Sequence, residues 1–65
     1  MKTARQKVIS RAVHSLTSCG ERVERDPVGW LANGEPHSEE ELVAYANELR
    51  AIERMPALRL PRKDP

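Results

Sequence analysis

The fold turns on one stretch, Glu21-Arg22-Val23-Glu24-Arg25-Asp26-Pro27-Val28-Gly29-Trp30-Leu31-Ala32-Asn33-Gly34-Glu35-Pro36-His37. Asp26-Pro27 has the form of a helix N-cap followed by proline at the first helical position, where the missing N–H has no intrahelical partner to lose. On that reading Val28, Gly29, Trp30 and Leu31 make a short helical turn over about residues 27–32, and Asn33-Gly34 ends it. Glu35-Pro36-His37 is then loop. Trp30 beside Leu31 fits a core plug first and a partner anchor second. Because the flanks read as helices, this assignment makes the chain all-α.

Upstream, Ala4, Val8, Ile9, Ala12, Val13, Leu16 and Cys19 recur at three- and four-residue steps and gather on one face of a helical wheel. The spacing predicts an amphipathic helix over about 3–19, with Cys19 turned to the core and Lys7, Arg11 and His14 on the opposite face. Gly20 is placed as a C-terminal stop. Val23 falls on the same apolar face and Glu21 can pair with Arg25 at i, i+4, which leaves open a continuation to 25.

Downstream, Ser38 and Glu41 form a capping box. Glu39, Glu40 and Glu41 stand at the positive end of the helix dipole, with Arg50 and Arg54 near its negative end. A helix over 39–54 follows, with Leu42, Tyr45, Ala46, Leu49 and Ile52 spaced as a helix–helix seam. Ala44, Ala51 and Met55 form a thinner second face. Pro56 ends the helix, and Pro61 and Pro65 keep the remainder extended. The expected organisation is a single helical domain over 1–55 and an extended Pro/Arg-containing arm over 56–65, whose Leu58 and Leu60 fold back on the helices or onto a neighbouring subunit.

A chain of 65 residues makes one domain and hides only about 60% of the surface its unfolded form exposes. Its larger apolar side chains are six Leu, two Ile, five Val, two Met, one Trp and one Tyr. So few large apolar side chains leave a lone monomer little margin over the entropy cost of ordering the chain. Small domains gain the rest from disulfides, metals or a second subunit. Cys19 is the single cysteine, and together with His14 and His37 it lacks the paired spacing of a zinc site. No metal or cofactor is expected, and association is favoured by elimination. No stretch approaches the roughly 18 apolar residues of a membrane span, and the basic N-terminus lacks the apolar core of a signal peptide. A cytoplasmic protein without membrane attachment is expected.

Chemistry is not legible. Gly20, Gly29 and Gly34 are scattered and form no phosphate-cradling loop. No serine, threonine or cysteine has an evident base and orienting group, and Glu39, Glu40 and Glu41 point in different directions around a helix start. No catalytic residue and no small-molecule substrate are expected.

Charge is segregated behind a net of +1. Residues 1–20 carry Lys2, Arg5, Lys7 and Arg11 and no acid; residues 27–49 carry Glu35, Glu39, Glu40, Glu41 and Glu48 and no Lys or Arg; residues 50–65 return to a positive sum. Two functions fit this pattern. The first is a non-enzymatic protein–protein interaction module, a helical homodimer or a helical hairpin, acting on a larger protein as an accessory, regulatory or inhibitor factor. Its interface residues are Leu42, Tyr45, Leu49, Ile52, Met55 and Trp30. Size alone suits such factors, including those of phages and mobile elements. The alternative is a small dimeric DNA-binding regulator that meets phosphates with Lys2, Arg5, Lys7, Arg11, Arg59, Arg62 and Lys63 on the first helix and the C-terminal arm.

Overall fold

Two helices, α1 (Ala4–Ser18) and α2 (Glu39–Ile52), begin with the same device. The Thr3 hydroxyl accepts from the Gln6 N–H at 3.1 Å while Gln6 Oε1 accepts from the Thr3 N–H at 2.9 Å. Ser38 and Glu41 repeat the exchange at 3.1 and 2.9 Å. Two otherwise orphaned backbone donors are satisfied at each helix start. The helices also end alike. Glu21 N–H donates to Leu16 O and Gly20 N–H to Thr17 O; Met55 N–H donates to Arg50 O and Arg54 N–H to Ala51 O. These are Schellman stops, with a left-handed residue just past the last turn. That residue is Gly20 in α1, at φ 86°, and Arg54 in α2, at φ 59°.

Between the helices the computed structural model, which describes residues 3–27 and 29–61, holds three strands: β1 (Val23–Asp26), β2 (Gly29–Ala32) and β3 (Glu35–His37). They form one antiparallel sheet in the order β1-β2-β3. The molecule is mixed α and β, and the all-α class expected from the sequence is overturned. Where a helical turn was expected over 27–32, β2 pairs on both sides: Arg25 with Trp30 and Trp30 with His37, Val23 with Ala32 and Ala32 with Glu35. The physical reason lies in the two turns. Asn33 and Gly34 both have positive φ, 54° and 85°, the conformation of a two-residue hairpin turn whose twist matches that of the strands. The Asn33 side chain ties this turn to the start of β1, accepting from Arg22 N–H at 2.9 Å and donating to Glu21. Gly29 is needed at the other end of β2, because a Cβ there would sit 2.9 Å from the His37 carbonyl oxygen.

Strand alternation turns Val23, Trp30 and Ala32 toward the helices, where they pack with the core of Ile9, Ala12, Leu16, Leu42, Val43 and Ala46. Leu31, opposite Glu24 and Pro36, lies on the other face. Only Leu16 and Leu42 among the described residues are large and wholly buried, so the core is small for the chain.

The helices lie side by side and parallel. Arg5 meets Glu39, Ser15 meets Arg50 and Cys19 approaches Glu53, a nearly constant offset of 34 or 35 residues. The same offset matches Ala12 with Ala46, both wholly buried. A helical hairpin would make them antiparallel, so that expectation is corrected too. Three short antiparallel strands run away, back and away again, and this odd number returns the chain to the N-terminal end of α1 before α2 begins. No helix among the described residues is long and apolar enough to cross a membrane.

Candidate functional site

Parallel packing places two positive helix ends together and two negative ends together. At the first end α1 has no acidic residue in its opening turn, whereas α2 has Glu39, Glu40 and Glu41. Arg5, in the first turn of α1, stands where a cation is disfavoured by the dipole, and α2 supplies the compensation. Its guanidinium donates from Nε to Glu39 Oε1 at 2.8 Å and from Nη2 to Glu40 Oε1 at 2.7 Å. A third bond runs from Nη1 to the Pro61 carbonyl at 2.7 Å. The hydrogen bonds to Glu39 and then Glu40 hold the Arg5 pKa above its ordinary value. Five donors in a rigid fork suit arginine to this three-acceptor clamp. Arg5 is therefore a structural residue in this fold, held by its own chain, and its side chain is only 17% exposed.

The C-terminal segment straps the helices on the way to that clamp. Arg50 Nε donates to Pro56 O at 2.8 Å, Asn47 exchanges two hydrogen bonds with Leu58, and Arg5 reaches Pro61 O. The segment thus runs antiparallel to α2. Six extended residues at about 3.3 Å each match the rise of α2 from Arg50 back to Glu40 at about 1.5 Å per residue. Leu58 and Leu60 pack against the core cluster, so the fold-back onto the helices is what this structure shows.

At the other end Arg50, the one basic residue in the last turn of α2, donates to Ser15 Oγ at 3.0 Å on α1, which has no basic residue of its own there. The strap starts at Pro56 and leads away, leaving this end uncovered. An open groove of about 340 Å³ is lined by Arg11, His14, Ser15, Ser18 and Cys19 of the first helix and by Leu49, Arg50, Glu53 and Met55. Met55 is 43% exposed, and Ile52, on the last turn of α2 but outside the groove lining, 78%.

The residues expected at a protein interface thus separate. Leu42 is wholly buried in the chain's own core. Trp30 is half-buried against that core with the Arg25 guanidinium 5.5 Å above its ring. Tyr45 is half-buried, its ring stacked on His37 at 6.1 Å, and its hydroxyl donates to Glu21. Leu49 and Met55 line the groove, and Ile52 reaches solvent outside that lining. Of the expected phosphate contacts, Arg5 is clamped, Lys7, Arg11 and Arg59 are exposed, and Lys2, Arg62 and Lys63 lie outside the described residues. Cys19, expected in the core, is exposed as the C-cap of α1.

Three residues matter that the sequence reading passed over. Val43 is buried where Ile52 was expected to be. Asn47 binds the strap, and a poor helix former in mid-helix was the available signal. Glu53 forms one lip of the groove.

Asn33 and then Tyr45, by hydrogen bonding, lower the pKa of Glu21, and the Ser38 backbone N–H and then its hydroxyl lower that of Glu41. These carboxylates serve the turn and the cap. A shallower opening of about 490 Å³ beside them is lined by Tyr45, His37, Glu35, Glu41 and Glu48. Among the described residues no group of three or more His, Cys, Asp and Glu could hold a metal ion. Comparison of the chain with protein-family models, with curated proteins and with solved structures finds no match.

Proposed function

We propose that this chain is a non-enzymatic, cytoplasmic protein-binding module that docks through the open end of its parallel helix pair. The observation that carries the reading is the placement of Ile52 and Met55. Among the described residues these are the large apolar side chains that are most exposed, and both stand at the C-terminal end of α2, where Met55 and Leu49 line a groove and Ile52 lies outside its lining. The opposite end of the same pair is closed by Arg5, Glu39, Glu40 and the strap. An apolar groove with a few polar groups on its rim is the usual form of a docking surface, and methionine suits an adaptable one. Accessory, regulatory and inhibitor roles all operate through such a surface.

The test compares wild type with Ile52→Glu/Met55→Glu in affinity capture from the native host. Retained circular dichroism with loss of the captured protein supports the reading; equal capture by both forms removes the open end as the docking face.

DNA binding is the second reading, favoured by Lys7 and Arg11, which are exposed on α1 and make no ion pair among the described residues. Sequestration of Arg5 weakens it. Titration with duplex DNA at rising salt tests it, because phosphate contacts weaken steeply as counterion release loses its advantage. Absence of binding at low salt eliminates this reading.

A further inference from the structure

Resting on the reading of the open end as a docking surface, we infer that its occupant is a second copy of this chain, related by a two-fold axis that crosses the groove between Arg11 and Glu53, with Arg11 of each copy facing Glu53 of the other. The groove carries both signs of charge. Arg11 and His14 line it from α1, while the α2 side supplies Glu53 together with Arg50, whose guanidinium is held by the Pro56 carbonyl and Ser15 Oγ. Arg11 and Glu53 are exposed, and neither forms an ion pair among the described residues. From α1 the Cys19 sulfur approaches Glu53 at 4.0 Å, too far to neutralise a carboxylate.

A two-fold interface is self-complementary: where one group contacts a second across it, the second contacts the first. An axis in the interface plane, set across the line from Arg11 to Glu53 at its midpoint, exchanges the two positions. The α1 lip of one copy then meets the α2 lip of the other. Both Arg11–Glu53 pairs form at once, and the apolar groove floor between them is covered from both sides. A purely acidic segment is repelled by Glu53, and a purely basic one by Arg11 and Arg50. Charge complementarity therefore favours a second copy over a purely acidic or purely basic ligand.

The size of the core points the same way. Of seven buried apolar residues among those described three are alanine, at positions 12, 32 and 46, so one chain buries few large side chains. A 65-residue domain is in the range where a second subunit supplies the missing apolar burial.

Sedimentation velocity over a range of protein concentrations tests the inference with wild type, Arg11→Glu, Glu53→Arg and an equimolar mixture of the two variants. Wild type is expected to dimerise, and each variant alone to associate at least about tenfold more weakly, because both inter-copy pairs become repulsive. In the mixture the glutamate introduced at position 11 of one variant faces the arginine introduced at position 53 of the other. The second pair is the native one, Glu53 against Arg11, so a heterodimer of wild-type strength is expected to return. Recovery on mixing cannot arise from a role confined to one chain, and both substituted positions are exposed, so folding is preserved. Wild type that stays monomeric at every concentration, or variants that dimerise as well as wild type, overturns the inference. A mixture that fails to recover overturns the two-fold pairing. If wild type is monomeric while Ile52→Glu/Met55→Glu still loses a captured protein, the second copy is wrong and the docking reading stands. If capture is also unchanged, both fall.

Discussion

The two ends of the parallel helix pair use the same backbone devices and are finished differently. At the N-terminal end each helix has a capping box, and Arg5 ties α1 to Glu39 and Glu40 of α2 and to the strap at Pro61. At the C-terminal end each helix has a Schellman stop, but the pair is bridged there by Arg50 through Ser15 Oγ, and Leu49, Ile52 and Met55 edge toward solvent. Polar groups at the closed end find partners within the chain. Apolar groups at the open end find none of comparable extent among the described residues. The contrast separates residues that hold the fold from residues left to act on something else.

The sharpest way to break the closed end is Asn47→Ala. It strips both hydrogen bonds from the half-buried Leu58 backbone, which lie at 2.9 and 2.7 Å. Leaving those groups unpaired costs about 1–3 kcal/mol, which in a domain of this length lowers the melting temperature by roughly 4–8 °C per kcal/mol. Calorimetry gives the shift, and limited proteolysis over 56–61 is expected to speed up as the strap lifts. An unchanged melt would mean that the strap adds nothing to the fold.

How far the closed and open ends could be read in advance depends on the length of each signal. The helices were legible because fifteen and fourteen residues show the 3.6-residue period several times and both starts carry capping boxes. The sheet was not, because strands of four, four and three residues are too short to display alternation. Asp26-Pro27 serves equally as helix start or turn. The deciding signal was Asn33-Gly34, whose two positive φ values favour a hairpin over a helix stop. Arg5 was grouped with the basic stripe although it stands four residues before Ile9, at the edge of the buried face, and that spacing foretold its capture. Ile52 has seam spacing, yet it lies two turns, about 10 Å, beyond Tyr45, and is outside the packed cluster.

The two Schellman stops permit a matched pair of substitutions. Gly20 and Arg54 occupy the same left-handed position at φ 86° and 59°, where a side chain costs about 1–2 kcal/mol. Gly20→Ala is expected to destabilise by about 1 kcal/mol, although a Cβ there meets nothing within 4 Å. Arg54→Gly removes the same strain and is expected to stabilise by about 0.5–1 kcal/mol, reduced by the greater freedom of glycine in the unfolded chain. Urea melts of both variants give the signs; two shifts in the same direction would break the equivalence of the stops.

Acid distinguishes the ends more weakly, because no carboxylate is buried among the described residues. Glu41 at the start of α2 and Glu21 beneath the hairpin turn have lowered pKa values in the fold. Their contribution is present above the ordinary carboxylate range and is lost as pH falls through the folded-state values. Thermal melts from neutral pH downward should therefore show falling stability, with a shallower acid slope in Glu41→Gln. An identical slope removes the cap from the account.

The smallest effect on stability is expected from Ile52→Glu, and its smallness is what makes it informative. At 78% exposure the side chain has little burial to lose, glutamate is the better helix former, and a surface substitution ordinarily stays within about 0.5 kcal/mol. Association should respond in the opposite way, since a carboxylate set on the last turn of α2 must be desolvated or left unpaired when another protein covers that end. Asn47→Ala is expected to melt early and still associate below its melting point; Ile52→Glu is expected to melt like wild type and fail to associate. If Ile52→Glu instead melts as early as Asn47→Ala, Ile52 belongs to the fold, and the open end is no different in kind from the closed one.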